Sequence, residues 1–140
     1  MKRTGWMWCW AWLFLACSSP EQGTVIQTWE TGAPKEVHRE MEDGSGVEVT
    51  IFHGNGKIHM RGKLLGGQRQ GTWNTYREDG LPWSQVDYVS GIKDGLFRTW
   101  HTDGRPHIEG QHEAGEPRGS WRFFDVNGNL DHTEDFGEAN

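Results

Sequence analysis

"GTWNTYREDG" (71–80) returns as "GLFRTWHTDG" at 95–104 and as "GSWRFFDVNG" at 119–128. Each stretch opens on Gly, places one aromatic two residues on and a second three further, and closes on Asp-Gly or Asn-Gly. The frame advances by 24 residues each time. Such self-similarity is the mark of a repeat architecture, and it has to be read before any motif is.

Set from Val47, the frame gives units 47–70, 71–94, 95–118 and 119–140. Position three carries Val49, Trp73, Phe97 and Trp121. Position six carries Phe52, Tyr76, Trp100 and Phe124. Positions nine and ten carry Asn55-Gly56, Asp79-Gly80, Asp103-Gly104 and Asn127-Gly128. Position eighteen carries Leu64, Tyr88, His112 and Phe136, and Gly67, Gly91 and Gly115 share position twenty-one. A looser copy over 25–46, with Trp29, Gly32, Pro34, Met41 and Gly44, is expected to cap the array.

Asn-Gly or Asp-Gly between β-rich runs is a strong hairpin signal, because a type I′ turn needs positive φ at both central residues. A two-residue turn there sets Trp73 against Val86, Tyr76 against Trp83 and Trp100 against His107. Pro82 and Pro106 fall beside the turn, where an N–H is dispensable. The glycine pairs 67–71, 91–95 and 115–119 predict a second, looser turn of four or five residues. Every helical candidate is interrupted by glycine. The expected fold is therefore all-β: tandem hairpins of strands about six residues long, following one another as a meander and sharing cross-strand pairs. Positions three and six differ in parity, so either a bulge realigns them or the sheet carries aromatics on both faces.

These units resemble MORN repeats, in the bacterial variant found in tandem in secreted and lipid-anchored proteins. The likeness rests on G-x-W-x-x-Y, the N/D-G turn and the later aromatic before another Gly. It covers 47–140 well and 24–46 weakly. It implies an elongated, twisted, single-layer antiparallel sheet, and a role in protein–protein scaffolding or membrane association. Some bacterial relatives carry an antitoxin label, which sits badly with an extracytoplasmic chain.

The N-terminus points outside the cytoplasm. Lys2 and Arg3 precede an apolar run from Trp6 to Ala16. That run is too short for a bilayer span, which needs roughly 17–25 residues, and it reads as a signal peptide over 1–16. Phe14-Leu15-Ala16-Cys17 resembles the lipobox of bacterial lipoproteins, which implies acylation of Cys17, a bilayer anchor and, from Ser18, the outer membrane. Cleavage after Ser18, releasing a soluble protein, is the alternative. Residues 17–24 read as a polar tether. Cys9 and Cys17 are then both accounted for, and no disulfide is expected.

Without Lys2 and Arg3, 12 basic and 20 acidic residues remain, a net −8. Nucleic acid and anionic headgroups are poor partners for such a chain. No Gly-Lys-Ser/Thr and no following helix support phosphate binding. There is no nucleophile elbow, no calcium ladder and no cofactor motif, so a non-catalytic protein is expected. Among the seven histidines, His53 and His101 share position seven while His59 and His107 share position thirteen. The two-residue turn sends those positions to opposite faces, so no metal is expected. The candidate partner-binding residues are Trp73, Tyr76, Trp83, Arg98 and Trp100, the types favoured at interfaces. The expected function is a scaffold for envelope proteins. The alternatives are a carbohydrate or cell-wall binding module with aromatic platforms, and an antitoxin or immunity-like protein.

Overall fold

The computed structural model describes residues 23–137. The signal segment, Cys17 and the tether up to residue 22 lie outside the described residues. Ten strands form one antiparallel sheet in sequence order: β1 (Thr24–Thr28), β2 (Pro34–Glu40), β3 (Val47–Phe52), β4 (Ile58–Leu65), β5 (Gln68–Tyr76), β6 (Pro82–Val89), β7 (Ile92–Trp100), β8 (Pro106–Glu113), β9 (Glu116–Phe124) and β10 (Leu130–Asp135). The sheet is a single open layer of hairpins, and the copy over 25–46 supplies the first of them.

The two turn types are exchanged relative to the sequence expectation. At the Asn/Asp-Gly pairs only the glycine takes positive φ: Gly56 at 81°, Gly80 at 96°, Gly104 at 85° and Gly128 at 86°. Asn55, Asp79, Asp103 and Asn127 do not, so these turns are not type I′. Instead Gly80 N–H donates to Arg77 O and Arg77 N–H donates to Leu81 O, each at 2.9 Å. That is a three-residue loop whose last residue is a left-handed glycine. The preceding acid or amide closes it by accepting from the backbone two residues on: Asp79 Oδ1 from Leu81 N–H at 2.8 Å, Asn55 Oδ1 from Lys57 N–H and Asp103 Oδ1 from Arg105 N–H at 3.0 Å. In the last unit this role passes to Asp125, which accepts from both Asn127 and Asn129. The bond from Arg105 N–H holds the Asp103 carboxyl below its ordinary range, and that from Asn129 N–H does the same for Asp125.

The true two-residue turns lie at the opposite rim. Leu65 pairs Gln68, Val89 pairs Ile92 and Glu113 pairs Glu116. The intervening pairs Gly66-Gly67, Ser90-Gly91 and Ala114-Gly115 all have positive φ. The longer glycine spacing arises because Gly71, Gly95 and Gly119 belong to bulges a few residues into the strand, not to the turn. Between β4 and β5 the pairing passes from Arg61↔Asn74 to Lys63↔Gln70, so Gly62 alone faces Gly71, Thr72 and Trp73. Asp87 and Gly110 stand in the same relation to the next two bulges.

Each bulge fixes the core. Beyond it, neighbouring strands carry Val49, Gly62, Trp73, Val86, Phe97, Gly110 and Trp121 in one row on one face. Val49, Trp73, Val86 and Trp121 are the buried apolar side chains, from 2% to 8% exposed. The indoles lie flat over the glycines: a Cβ at Gly62 would stand 2.2 Å from Trp73 Cδ2, and one at Gly110 2.2 Å from Trp121 Cδ2. Trp73 Nε1–H then donates to Lys63 O at 3.1 Å, and Trp121 Nε1–H to Gln111 O and Arg118 O at 3.2 Å. The indole thereby satisfies a carbonyl where the ladder is interrupted.

Gly62→Ala and Gly110→Ala are each expected to lose about 1–3 kcal/mol by overpacking. Gly54→Ala, with open space around its Cβ, is the matched control. Urea unfolding checks all three. Ala114, at φ 49°, occupies a left-handed position that costs an alanine about 1 kcal/mol. Ala114→Asn restores Asn-Gly at this type I′ turn, and a gain of about 0.5–1 kcal/mol is expected in the same measurement.

Candidate interaction surface

Strand alternation within β5 puts Trp73 and Tyr76 on opposite faces. Trp73 is 4% exposed and belongs to the core row. Its ring is further covered by the Arg69 guanidinium, 4.5 Å from its centroid and 5.3 Å from that of Tyr88. It offers no free surface. Lys93 repeats the cover over Phe97 at 5.6 Å.

The cross-strand partners of the other aromatics differ from expectation near the turns. Tyr76 pairs with Pro82 and Trp100 with Pro106, one residue short of Trp83 and His107. A bulge after the proline is the cause, because the three-residue loop adds a residue on that side. Trp73↔Val86 stands as expected. Tyr76 and Trp100 are half-buried on the face away from the core row.

The extra residue swings position thirteen beside position seven. Arg77 lies 5.8 Å from the ring of Trp83. The rings of His53 and His59 are 4.4 Å apart, and those of His101 and His107 are 4.3 Å apart. The expectation that these positions point to opposite faces is thus overturned. Position seven also reaches into the following unit. Arg77 Nη2 donates to Trp100 O at 2.9 Å, and His53 Nε2 and His101 Nε2 bond Tyr76 O and Phe124 O at the same distance. Each is a clamp between successive hairpins. Sequence reading missed the clamps because their acceptors are backbone carbonyls, which leave no trace in residue identity.

Arg98 projects from the polar face and shares Glu109 with Arg122; its Nε lies 3.7 Å from Glu109 Oε1. Arg39 and Arg61 flank Glu48 in the same way. Such exposed pairs stabilise little, but they leave Arg98 paired and not presented as an isolated cation. Trp83 is the sequence-chosen aromatic with a large free surface, 49% exposed. Leu81, Val126 and Leu130 are exposed along the same rim, and Val89 and Ile92 at the opposite one. A shallow depression lined by Gly56, Lys57, Ile58, Tyr76 and Gly80 lies between adjacent turns. Among the described residues no group of three or more His, Cys, Asp or Glu side chains converges.

His112 replaces the aromatic of its column and packs edge-on against Phe97 and Trp121, at 5.3 and 5.1 Å. Burial pushes its pKa down, and nearby Lys93 adds to the shift against a weaker pull from Glu116.

Comparison with protein-family models, curated proteins and solved structures returns no match to this chain.

The lowered His112 pKa sets a sign for acid stability. The unfolded chain protonates this imidazole near its ordinary value of about 6.5, whereas the folded chain does so only at lower pH. The stability carried by neutral His112 is complete above about pH 6.5 and is lost as pH falls through the folded value. His112→Tyr, which copies Tyr88, is expected to flatten this acid-side loss. Thermal melts at a series of pH values on both proteins check it.

Proposed function

We propose that this chain is a non-catalytic, membrane-anchored scaffold that docks proteins in the cell envelope. The observation that carries the proposal is the single-layer sheet, in which no large described side chain is fully buried. A globular domain hides its apolar rows under a second layer. Here the core row is shielded only by its own sheet, and the apolar side chains left exposed lie mainly along the rims and edge strands of the ten-strand layer, which marks a binding surface. Trp83, with Arg77 beside it and Leu81 next in the turn, is the anchor of the proposed docking rim. Trp and Arg are favoured in such roles.

Acylation at Cys17 supplies the anchor. Residues 17–23 lead directly into β1 and reach at most about 25 Å when extended. That reach keeps the start of β1 within about 25 Å of the bilayer in the proposed arrangement. Several acyl chains, at about 0.8 kcal/mol per buried methylene, hold the protein firmly. The exposed Trp83 also favours a second reading, a platform for cell-wall sugars, and the same variant separates the two.

Cys17→Ser is expected to abolish acylation and release the protein from membranes; unchanged membrane retention sinks the anchor. Wild type is expected to retain a specific protein from envelope extracts, and Trp83→Ala to lose it. Tryptophan fluorescence that responds to cell-wall oligosaccharides in wild type but not in Trp83→Ala, with no protein retained, supports the glycan reading instead.

A further inference from the structure

The His pairs at the turn rim have a geometry that the clamp does not require. His59 Nδ1 lies 3.2 Å from His53 Nε2, and the Tyr76 carbonyl oxygen lies 2.9 Å from the same Nε2. Two imidazole nitrogens bound to Zn²⁺ at about 2.0–2.1 Å with a tetrahedral angle stand about 3.3 Å apart. The observed spacing matches this within a tenth of an ångström or so. The clamp alone needs only one donor at position seven, and Arg77 provides it with no imidazole beside it. His59 makes no clamp; its contacts are to His53.

The ring pairing and the clamp recur two units on, but there His107 Nδ1 faces Thr99 Oγ1 at 3.5 Å, so ligation at that pair requires the His107 ring to turn from Thr99. His101 and His107 have ring centroids 4.3 Å apart, and His101 Nε2 bonds Phe124 O at 2.9 Å. The units between and after carry Arg77 with Trp83 and Asp125 with Asp131 at the same positions. The His pairs thus follow a 48-residue period, in step with the glycines under the indoles at 62 and 110. Four strand spacings, about 19 Å, separate them, so they act independently.

We infer that each His pair, His53–His59 and His101–His107, holds one borderline divalent metal ion of the Zn²⁺ class at the sheet rim. Both imidazoles bind neutral. His59 ligates through Nδ1 and keeps its proton on Nε2. His53 ligates through Nε2 and carries its proton on Nδ1, so the clamp hydrogen bond to Tyr76 O is exchanged and that oxygen becomes available as a third donor. The remaining positions face solvent and take water, which makes the site open and not a closed structural one. Imidazole is a suitable ligand for this class of ion, and proton competition makes its hold weaken as pH falls.

The test is isothermal titration of the full chain with Zn²⁺ at pH 7.5. Wild type is expected to bind two ions, His59→Gln one, and His59→Gln/His107→Gln none. Both substituted positions lie outside the clamps, and circular dichroism confirms the fold of each variant. Absence of saturable binding in wild type overturns the proposal, as does undiminished stoichiometry in the double variant. His38, His112 and His132 remain in every protein and report any binding that does not depend on the pairs.

Discussion

Everything in this sheet rests on how a single layer buries a side chain. With no second layer to pack against, an aromatic is shielded only by lying flat on its own sheet. That demands a neighbouring strand without a side chain at the crossing point. Gly62 beneath Trp73 and Gly110 beneath Trp121 meet the demand. An indole hidden in this way removes about 150–250 Å² from water, an upper figure of about 4–6 kcal/mol. The bulges at Gly71 and Gly119 belong to the same device. They free a carbonyl that the indole N–H then satisfies, so packing and hydrogen bonding settle on one position of the ring.

The repeat makes this arrangement cooperative in one dimension. Each strand packs chiefly on its sequence neighbours, and successive hairpins are joined at both rims. At one rim His53, Arg77 and His101 reach a carbonyl of the next unit. At the other, Gly91 N–H donates to Arg69 O and Gly115 N–H to Lys93 O, both at 2.9 Å. Ladder, core row and two rows of clamps therefore share one period. A stack of this kind gains stability by adding units, whereas a lone hairpin is marginal in water.

The period, the hairpins and the all-β class are legible in the sequence because turn glycines and aromatics recur at fixed offsets. The row partner Trp73↔Val86 is legible for the same reason. Turn type is not, since Asp-Gly suits both a type I′ turn and a three-residue loop ending in left-handed glycine. The choice follows from the bulge that each loop must feed. That single added residue moves Trp83 and the histidines of position thirteen, so one unread turn displaced the expected pairing of the candidate site. Gly62 and Gly110 recur at position sixteen, alternating with Val86, and this alternation is the signal by which the crossing indoles were discoverable.

The two ends of the sheet differ in a way that bears on its use. β10 is fully exposed and carries Asp131, Glu134 and Asp135. Charged side chains on an edge discourage another strand from pairing there. β1, sequence TVIQT, is also exposed and carries no charge. An uncharged edge on a freely diffusing protein invites unwanted pairing. Under the proposed Cys17 anchor that edge would lie near the bilayer, which would limit such pairing. The exposed apolar side chains of the rims, Leu81 and Trp83 at one and Val89 and Ile92 at the other, are the ones the proposed docking role would use.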